Sequence, residues 1–488
     1  MMTPPGGENG AGARCGGAFT VDAATSKIKK APIMTFLPNS PHARDVASVV
    51  HPHTNLKRHL ETGPTIITGG DGVYVTDDDG NRLIEGVAGL WCASLGFGVE
   101  RLARVAYDAM KELGYYHTYR HNSNPAMIEL AEHLLSIAPV PMSKVLFQCS
   151  GSEANDTAIK LVWYYHNAIG KPEKRKIIAR KRGYHGNTAA AVSLSGKPEM
   201  HQDFNLPFEP FRHTDFPYFY LEHQDGESEQ DFATRMADSL EAMILEEGPE
   251  TVGAFFAEPI MGSGGGVVPP ATYYDKVQAV LKKYDILFVA DEVICGFART
   301  GKMWGTETMG LQPDMISCAK QLSAGFQPIS ALMVNEKIFQ AMLVESDKVG
   351  PFSHGYTYAG HPVAAAVAME VQRIYQEMDV LGHVGRVGDY LSRRLDGLRG
   401  HPMVGDLDGR GLLWGMQIVQ DRDSRSLFDP ALGIGQQIGD RTREQGAIVR
   451  IIGDRIVLAP PLVITEDEVD QLVGALEKGF DAVAAQVL

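Results

Sequence analysis

The sequence predicts an α/β fold, a mostly parallel sheet covered by helices and joined to a smaller α+β part, and three observations carry that prediction. From Lys144 onward, short runs apolar on both faces (KVLFQC, KIIAR, VGAFFA, ILFVA, DMISCA and ISALMV) alternate with helical patterns that begin at Glu153 and Ala271. That texture belongs to a buried parallel sheet under helices. Beyond about residue 360 an Ala-rich helix leads into GLLWGMQIV, then AIVRIIGDRIVLAPP, read as two strands around Gly453-Asp454, and a last amphipathic helix. At 488 residues the chain also exceeds one ordinary domain, so a large and a smaller part are expected.

In chain order, the Gly/Pro-rich start MMTPPGGENGAGARCGG has no apolar core of a signal peptide, and residues 1–45 are expected to be a disordered leader. Residues 46–95 read as an N-terminal arm of the small domain, with a strand at Val73-Tyr74-Val75, a turn at Asp79-Gly80-Asn81 and the Gly-rich GLWCASLGFG. Residues 96–358 form the expected large domain and residues 359–488 the C-terminal small domain. No internal repeat stands out.

Composition excludes several functions. The 45 basic against 60 acidic residues leave a net charge of −15, which argues against a role on nucleic acid or an anionic membrane surface and for small-molecule partners. Five cysteines (Cys15, Cys92, Cys149, Cys295, Cys318) are odd in number and far apart, so neither a disulfide framework nor a zinc site is expected, and a reducing, cytoplasmic setting fits. No apolar run approaches the ~20 residues of a membrane helix.

Chemistry enters where the apolar runs end. Asp291 follows ILFVA, Lys320 follows DMISCA and Glu258 follows VGAFFA, and ligands of open α/β sheets bind at the carboxyl ends of strands. A lysine crowded by the small residues of QLSAG is placed to attack a carbonyl carbon as a neutral amine; a solvated lysine leaving a strand is the ordinary alternative. Asp291, behind that apolar run, needs a cationic partner if buried, and a protonated pyridine nitrogen is one; capping the next turn is its ordinary role. Ser150-Gly151-Ser152-Glu153-Ala154-Asn155 opens a helix with free amides and two hydroxyls, fit for an anion or simply an N-cap. Gly183-Tyr184-His185-Gly186 puts an aromatic ring on a loop at the same edge, to stack on a planar group or to pack in the core. Gly262-Ser263-Gly264-Gly265-Gly266 permits close backbone approach to a ligand, or a flexible turn. Each signal alone is weak, and their joint order at the ends of successive strands is what marks a site.

With these segments set out, the chain from about residue 45 to its end resembles the class III aminotransferases, pyridoxal-phosphate enzymes of fold type I. GSEANDTAIK, GYHGNT, AEPIMGSGG, VADEVICGFARTG, ISCAKQLSAG and HGYTYAGHP occur in the family's order. The resemblance implies a seven-stranded sheet and pyridoxal 5'-phosphate held by Lys320 as a Schiff base, with Lys320 also moving the proton of the reaction. It implies that Asp291 pairs with the pyridine nitrogen, that Val293 and Tyr184 cover the two ring faces, and that Glu258 belongs to the cofactor site. Gly151 and Ser152 would bind the phosphate, and Thr357 would complete that site from the neighbouring subunit of a dimer, with a tetramer left open.

Within the family, GLWCASLGFG, YYHTY and IVRIIGDRIVLAPPLVIT look like the amine:pyruvate, or omega, transaminases. That likeness implies an acceptor-carboxylate role for a mobile Arg450, a planar bidentate donor, and a substrate pocket lined by Trp91, Tyr119 and Tyr356 of the partner subunit. The expected activity is ping-pong transfer of an amino group from an amine to a keto acid, pyruvate first among them. Two departures bear on it. Met261-Gly262-Ser263 stands where ornithine, acetylornithine and γ-aminobutyrate aminotransferases carry a second glutamate, which argues against those substrates, and Gln321 replaces the usual glycine after the lysine. The rivals are decarboxylation of a dialkylated amino acid or an aminomutase reaction on the same fold, and a non-catalytic phosphate-binding protein.

Overall fold

The computed structural model describes residues 36–488, in two compact units, a small one ending at Ile66 and a large one, Ile67–Leu488. Most of the expected leader, with Cys15, lies outside the described residues. Inside that stretch a helix, Pro41–Ser48, has already begun, with Pro41 in its first turn and the Ser40 hydroxyl accepting from the Ala43 amide. A second helix, Leu56–Thr62, completes the small unit, capped by the Asn55 side chain.

The large unit carries three sheets. Its strands are β1 (Ile67–Asp71), β2 (Tyr74–Asp77), β3 (Arg82–Glu85), β4 (Lys144–Gln148), β5 (Lys176–Arg180), β6 (Phe211–Thr214), β7 (Val252–Ala257), β8 (Leu287–Asp291), β9 (Met315–Cys318), β10 (Ser330–Val334), β11 (Val404–Arg410), β12 (Leu413–Ile418), β13 (Ala447–Ile448), β14 (Arg450–Ile452) and β15 (Arg455–Leu458). The central sheet has seven strands in the order β4-β10-β9-β8-β7-β5-β6, parallel except for β10, which runs antiparallel to both neighbours. The fold is thus the mixed α/β architecture that the sequence predicts, with the expected seven strands in its central sheet. Both faces of the sheet are buried: Phe255 and Ala257 of β7 pack into one apolar cluster, Ala254 and Phe256 into the other, as the two-residue period of a strand demands.

In the two smaller sheets, β1-β2-β3 takes β13 in parallel alongside β3, and β11-β12-β15-β14 is antiparallel. The expected hairpin at Asp79-Gly80-Asn81 and the pair around Gly453-Asp454 are present as β2–β3 and β14–β15. The last helix, Glu466–Val487, starts in a reciprocal cap between Thr465 and Glu468. Strands β5, β7, β8 and β9 all end at one edge of the central sheet, and the chemistry-bearing residues stand there.

Candidate active site

At that edge Asp291 closes β8, 3% exposed. Its Oδ2 accepts from Asn155 Nδ2 at 2.7 Å and from His185 Nδ1 at 2.8 Å, and its Oδ1 accepts from the Val293 amide at 3.1 Å. Asn155 Nδ2 also donates to the His185 carbonyl at 2.7 Å, and the His185 amide donates to Ser195 Oγ. One carboxylate therefore ties together a strand end, the helix Gly151–Ala168 and the loop after β5. The far nitrogen of His185, Nε2, and the Asn155 Oδ1 are buried with no hydrogen-bond partner, so these two side chains face the carboxylate as donors and little else.

Lys320 is the first residue of a one-turn 3₁₀ segment, Lys320–Leu322, that follows β9. Its φ of 47° is left-handed, a conformation L-residues adopt at a cost and one that clusters at functional sites. Enclosure pushes its amine down from the ordinary lysine range, against the opposing pull of neighbouring acidic groups including Asp291 and Glu258. Among the described residues its Nζ makes no hydrogen bond or ion pair, which leaves a deprotonation-prone amine free to act as nucleophile and base. Gln321, wholly buried, holds the turn in place: its Nε2 donates to the Ile294 carbonyl at 2.7 Å, and its own carbonyl accepts from Tyr375. The residue that departs from the family glycine thus ties the lysine turn to the segment after Asp291.

The helix start is divided between two tasks. Ser150 is the N-cap, its hydroxyl accepting from the Glu153 amide at 3.2 Å. The first-turn amides of Gly151 and Ser152 have no intrahelical acceptor and sit at the positive end of an 18-residue helix. A Cβ at Gly151 would lie 2.9 Å from Val293, so that position needs a glycine. Glu258, 3% exposed, brackets two loops, accepting from the Tyr184 amide at 3.1 Å and the Gly262 amide at 3.0 Å; burial pushes its carboxyl up. Beneath it Arg180 donates to the Glu258 carbonyl and to Tyr274.

Of the residues expected from sequence, Gly151, Ser152, Tyr184, Glu258, Asp291, Val293 and Lys320 line a single cleft, together with Asn155, His185 and Ile294. Asn155 and His185 were not singled out from sequence: both lie inside marked segments, Asn155 one helical turn after Gly151 and His185 next to Tyr184, but nothing in those segments points to a shared bond with Asp291. The other five expectations fall outside this cleft. Trp91 is 4% exposed and belongs to an apolar cluster with Ile260 and the cleft residue Ile294. Tyr119 and Thr357 are exposed and Tyr356 half-buried. They belong to two segments that run together, where Tyr115 donates to the Thr357 carbonyl and Tyr356 points its hydroxyl at the Glu153 carbonyl, 3.4 Å away. Arg450 is exposed at the start of β14 and lies near Lys197, which lines an open basic cavity of about 480 Å³ with Arg182 and Lys181.

Residues 57–480 match the family model described as aminotransferase class-III. Among curated relatives, the γ-aminobutyrate transaminase 3, chloroplastic, of Solanum lycopersicum is 44% identical over 445 residues, covering 90% of this chain and 86% of that protein. Among solved structures, the omega transaminase from Pseudomonas jessenii in complex with PMP superposes with a TM-score of 0.91 at 46% identity, over 92% of this chain and 99% of the other. A transaminase solved with L-Ala gives 0.85 at 49% identity, over 87% and 100%.

Proposed function

The chain belongs to the class-III aminotransferases, and from that premise we propose that it transfers an amino group from an amine to pyruvate by a ping-pong mechanism. One observation carries the reading: a half-buried lysine, whose amine makes no hydrogen bond or ion pair among the described residues, shares its cleft with an aspartate held by two side-chain donors. The family's cofactor, pyridoxal phosphate, supplies a carbonyl that takes up the amino group and a ring that spreads the charge left on the reacting carbon. The cleft suits it end to end. Free amides at Gly151 and Ser152 match a phosphate, Tyr184 and Val293 match the faces of a ring, and a buried carboxylate at Asp291 calls for a cation such as a protonated pyridine nitrogen.

In that arrangement Asp291 keeps a proton on the ring nitrogen, and Asn155 and His185 keep Asp291 aimed. Lys320 would hold the cofactor through its amine and, once released from it, would take the proton from the carbon bearing the amino group and return it. Glu258 holds the Tyr184 loop against the ring. Trp91, Tyr119 and Arg450 act on the substrate, with Arg450 meeting the acceptor carboxylate. Thr357 and Tyr356 of the partner subunit complete the site of a homodimer.

Pyruvate is supported as the acceptor by the relative solved with L-Ala, its aminated form. A second reading, an ω-amino acid donor such as γ-aminobutyrate, is favoured by the name of the tomato relative, against the sequence expectation drawn from Met261. Among the described residues no helix is long and apolar enough to cross a membrane. The cytoplasmic setting remains a reading of the cysteine pattern, since the tomato relative is chloroplastic by name.

The test is a visible spectrum of the purified protein, then alanine formation from pyruvate with arylalkylamines, diamines and γ-aminobutyrate. A yellow protein that bleaches with amine and makes alanine, with turnover abolished in Lys320→Ala, is expected. A protein that takes up no pyridoxal phosphate overturns the reading, and exclusive use of γ-aminobutyrate selects the second one.

A further inference from the structure

The small N-terminal unit is organised around a polar centre. Among residues 36–66 only His59 is buried, 7% exposed, while Leu37, Val49, Val50, Leu56 and Leu60 are all exposed. His59 Nε2 and His51 Nε2 converge on the same oxygen of Asp45, at 3.2 and 2.9 Å. The two imidazoles lean on each other with centroids 4.4 Å apart. Asp45 comes from helix Pro41–Ser48, His51 from the connecting segment and His59 from helix Leu56–Thr62, so the three side chains tie every part of the unit together.

Two rings crowded onto one carboxylate oxygen leave the other carboxylate oxygen out of the contact, an uneven use of a group able to accept from both sides. A shared cation explains the convergence better. All three donor atoms lie within 4.8 Å of one another. Zinc bonds of about 2.0–2.1 Å in a tetrahedral shell hold their ligand atoms roughly 3.3 Å apart, close to both imidazole-to-carboxylate separations, so only the two imidazoles have to draw together. We propose that Asp45, His51 and His59 form a divalent-cation site that takes zinc, with water in the fourth position. Two imidazoles and one carboxylate form a donor set that zinc accepts readily and that calcium and magnesium, which prefer all-oxygen shells, do not. A two-helix segment with no buried apolar side chain gains its cohesion from such a clasp, because the free energy of binding metal becomes free energy of folding.

The test uses the full-length protein, stripped with a chelator and titrated with Zn²⁺ alone by calorimetry, with bound zinc counted by elemental analysis after gel filtration. One equivalent per chain is expected in the parent protein and in His53→Ala, which removes an exposed imidazole of the same segment. That equivalent is lost in the His51→Ala/His59→Ala double variant. Asp45→Asn, which keeps the shape, is expected to weaken zinc binding at least about tenfold, and it decides the matter should the double variant fail to fold. A parent protein that takes up no zinc, a double variant that keeps the equivalent, or an Asp45→Asn protein of unchanged affinity overturns the proposal.

Discussion

Asn155 and His185 never touch the reacting atoms in the proposed mechanism, yet both direct their donors at Asp291 Oδ2. Replacing Asn155 by Leu leaves that oxygen to His185 alone and frees the carboxylate to turn. A buried hydrogen bond to a charged group contributes about 1.5–3 kcal/mol, so kcat should fall by about 10- to 100-fold, measured as alanine formed per cofactor bound. Because the two donors share one acceptor, adding His185→Leu should cost less than the sum of the two single effects, which a double-mutant cycle reads directly. Additive losses would mean that the two act apart from Asp291. Lys320, Asp291 and Glu258 were legible in the sequence because each ends an apolar run, whereas Asn155 and His185 were not, since donating to an acidic group leaves no mark on local sequence pattern. Gln321 shows the opposite limit: its departure from glycine was visible, but its bond to Ile294 spans 27 residues and needed the fold.

At the scale of elements, Glu292 follows Asp291 and caps the five-residue helix Gly305–Met309 by accepting from the Gly305 and Thr306 amides. Burial pushes its carboxyl up from 4.5 to about 7. Between those values the folded protein binds more protons at this group than the unfolded chain, so its contribution to stability is present below about pH 4.5 and lost as pH rises through about 7. Glu292→Gln removes the titration. The stability gap between parent and variant should therefore shift by up to about 3 kcal/mol across that window, in the direction of a relatively less stable parent at the higher pH. Melting temperatures of both proteins at the two pH limits check it, and parallel curves would refute the assignment. Element identity followed the same divide between local and distant causes. The buried strands β7, β8, β9 and β10 announce themselves as apolar runs, but β1 (ITGGD), β6 (FRHT) and β11 (VGDLDGR) are polar or glycine-rich and exist through pairing with neighbours distant in sequence.

At the scale of the whole molecule, the sequence pattern identifies buried positions well and exposed apolar ones poorly, because a helix face that meets another chain has the same periodicity as one that meets its own core. Helix Glu100–Leu113 shows it: a strongly amphipathic pattern, yet Leu102 is its only buried residue, while Tyr107 and Met110 stand 60% and 58% exposed. The patch continues through exposed Tyr115, Tyr116, Tyr119 and Tyr358, next to the segment that carries Tyr356 and Thr357. Exposed apolar side chains grouped in this way suit an association face, and in the proposed homodimer a second copy would carry Thr357 into the phosphate end of the opposite cleft. Met110→Glu should leave the fold of each chain intact, since the side chain is exposed, but place a charge in an interface that must exclude water. Sedimentation should then show the proposed dimer giving way to monomer, with alanine formation and retained pyridoxal phosphate falling together by about tenfold or more, as expected if a buried unpaired charge costs several kcal/mol. A Met110→Glu protein that stays dimeric and fully active would place the association face elsewhere and remove Thr357 and Tyr356 from the proposed site.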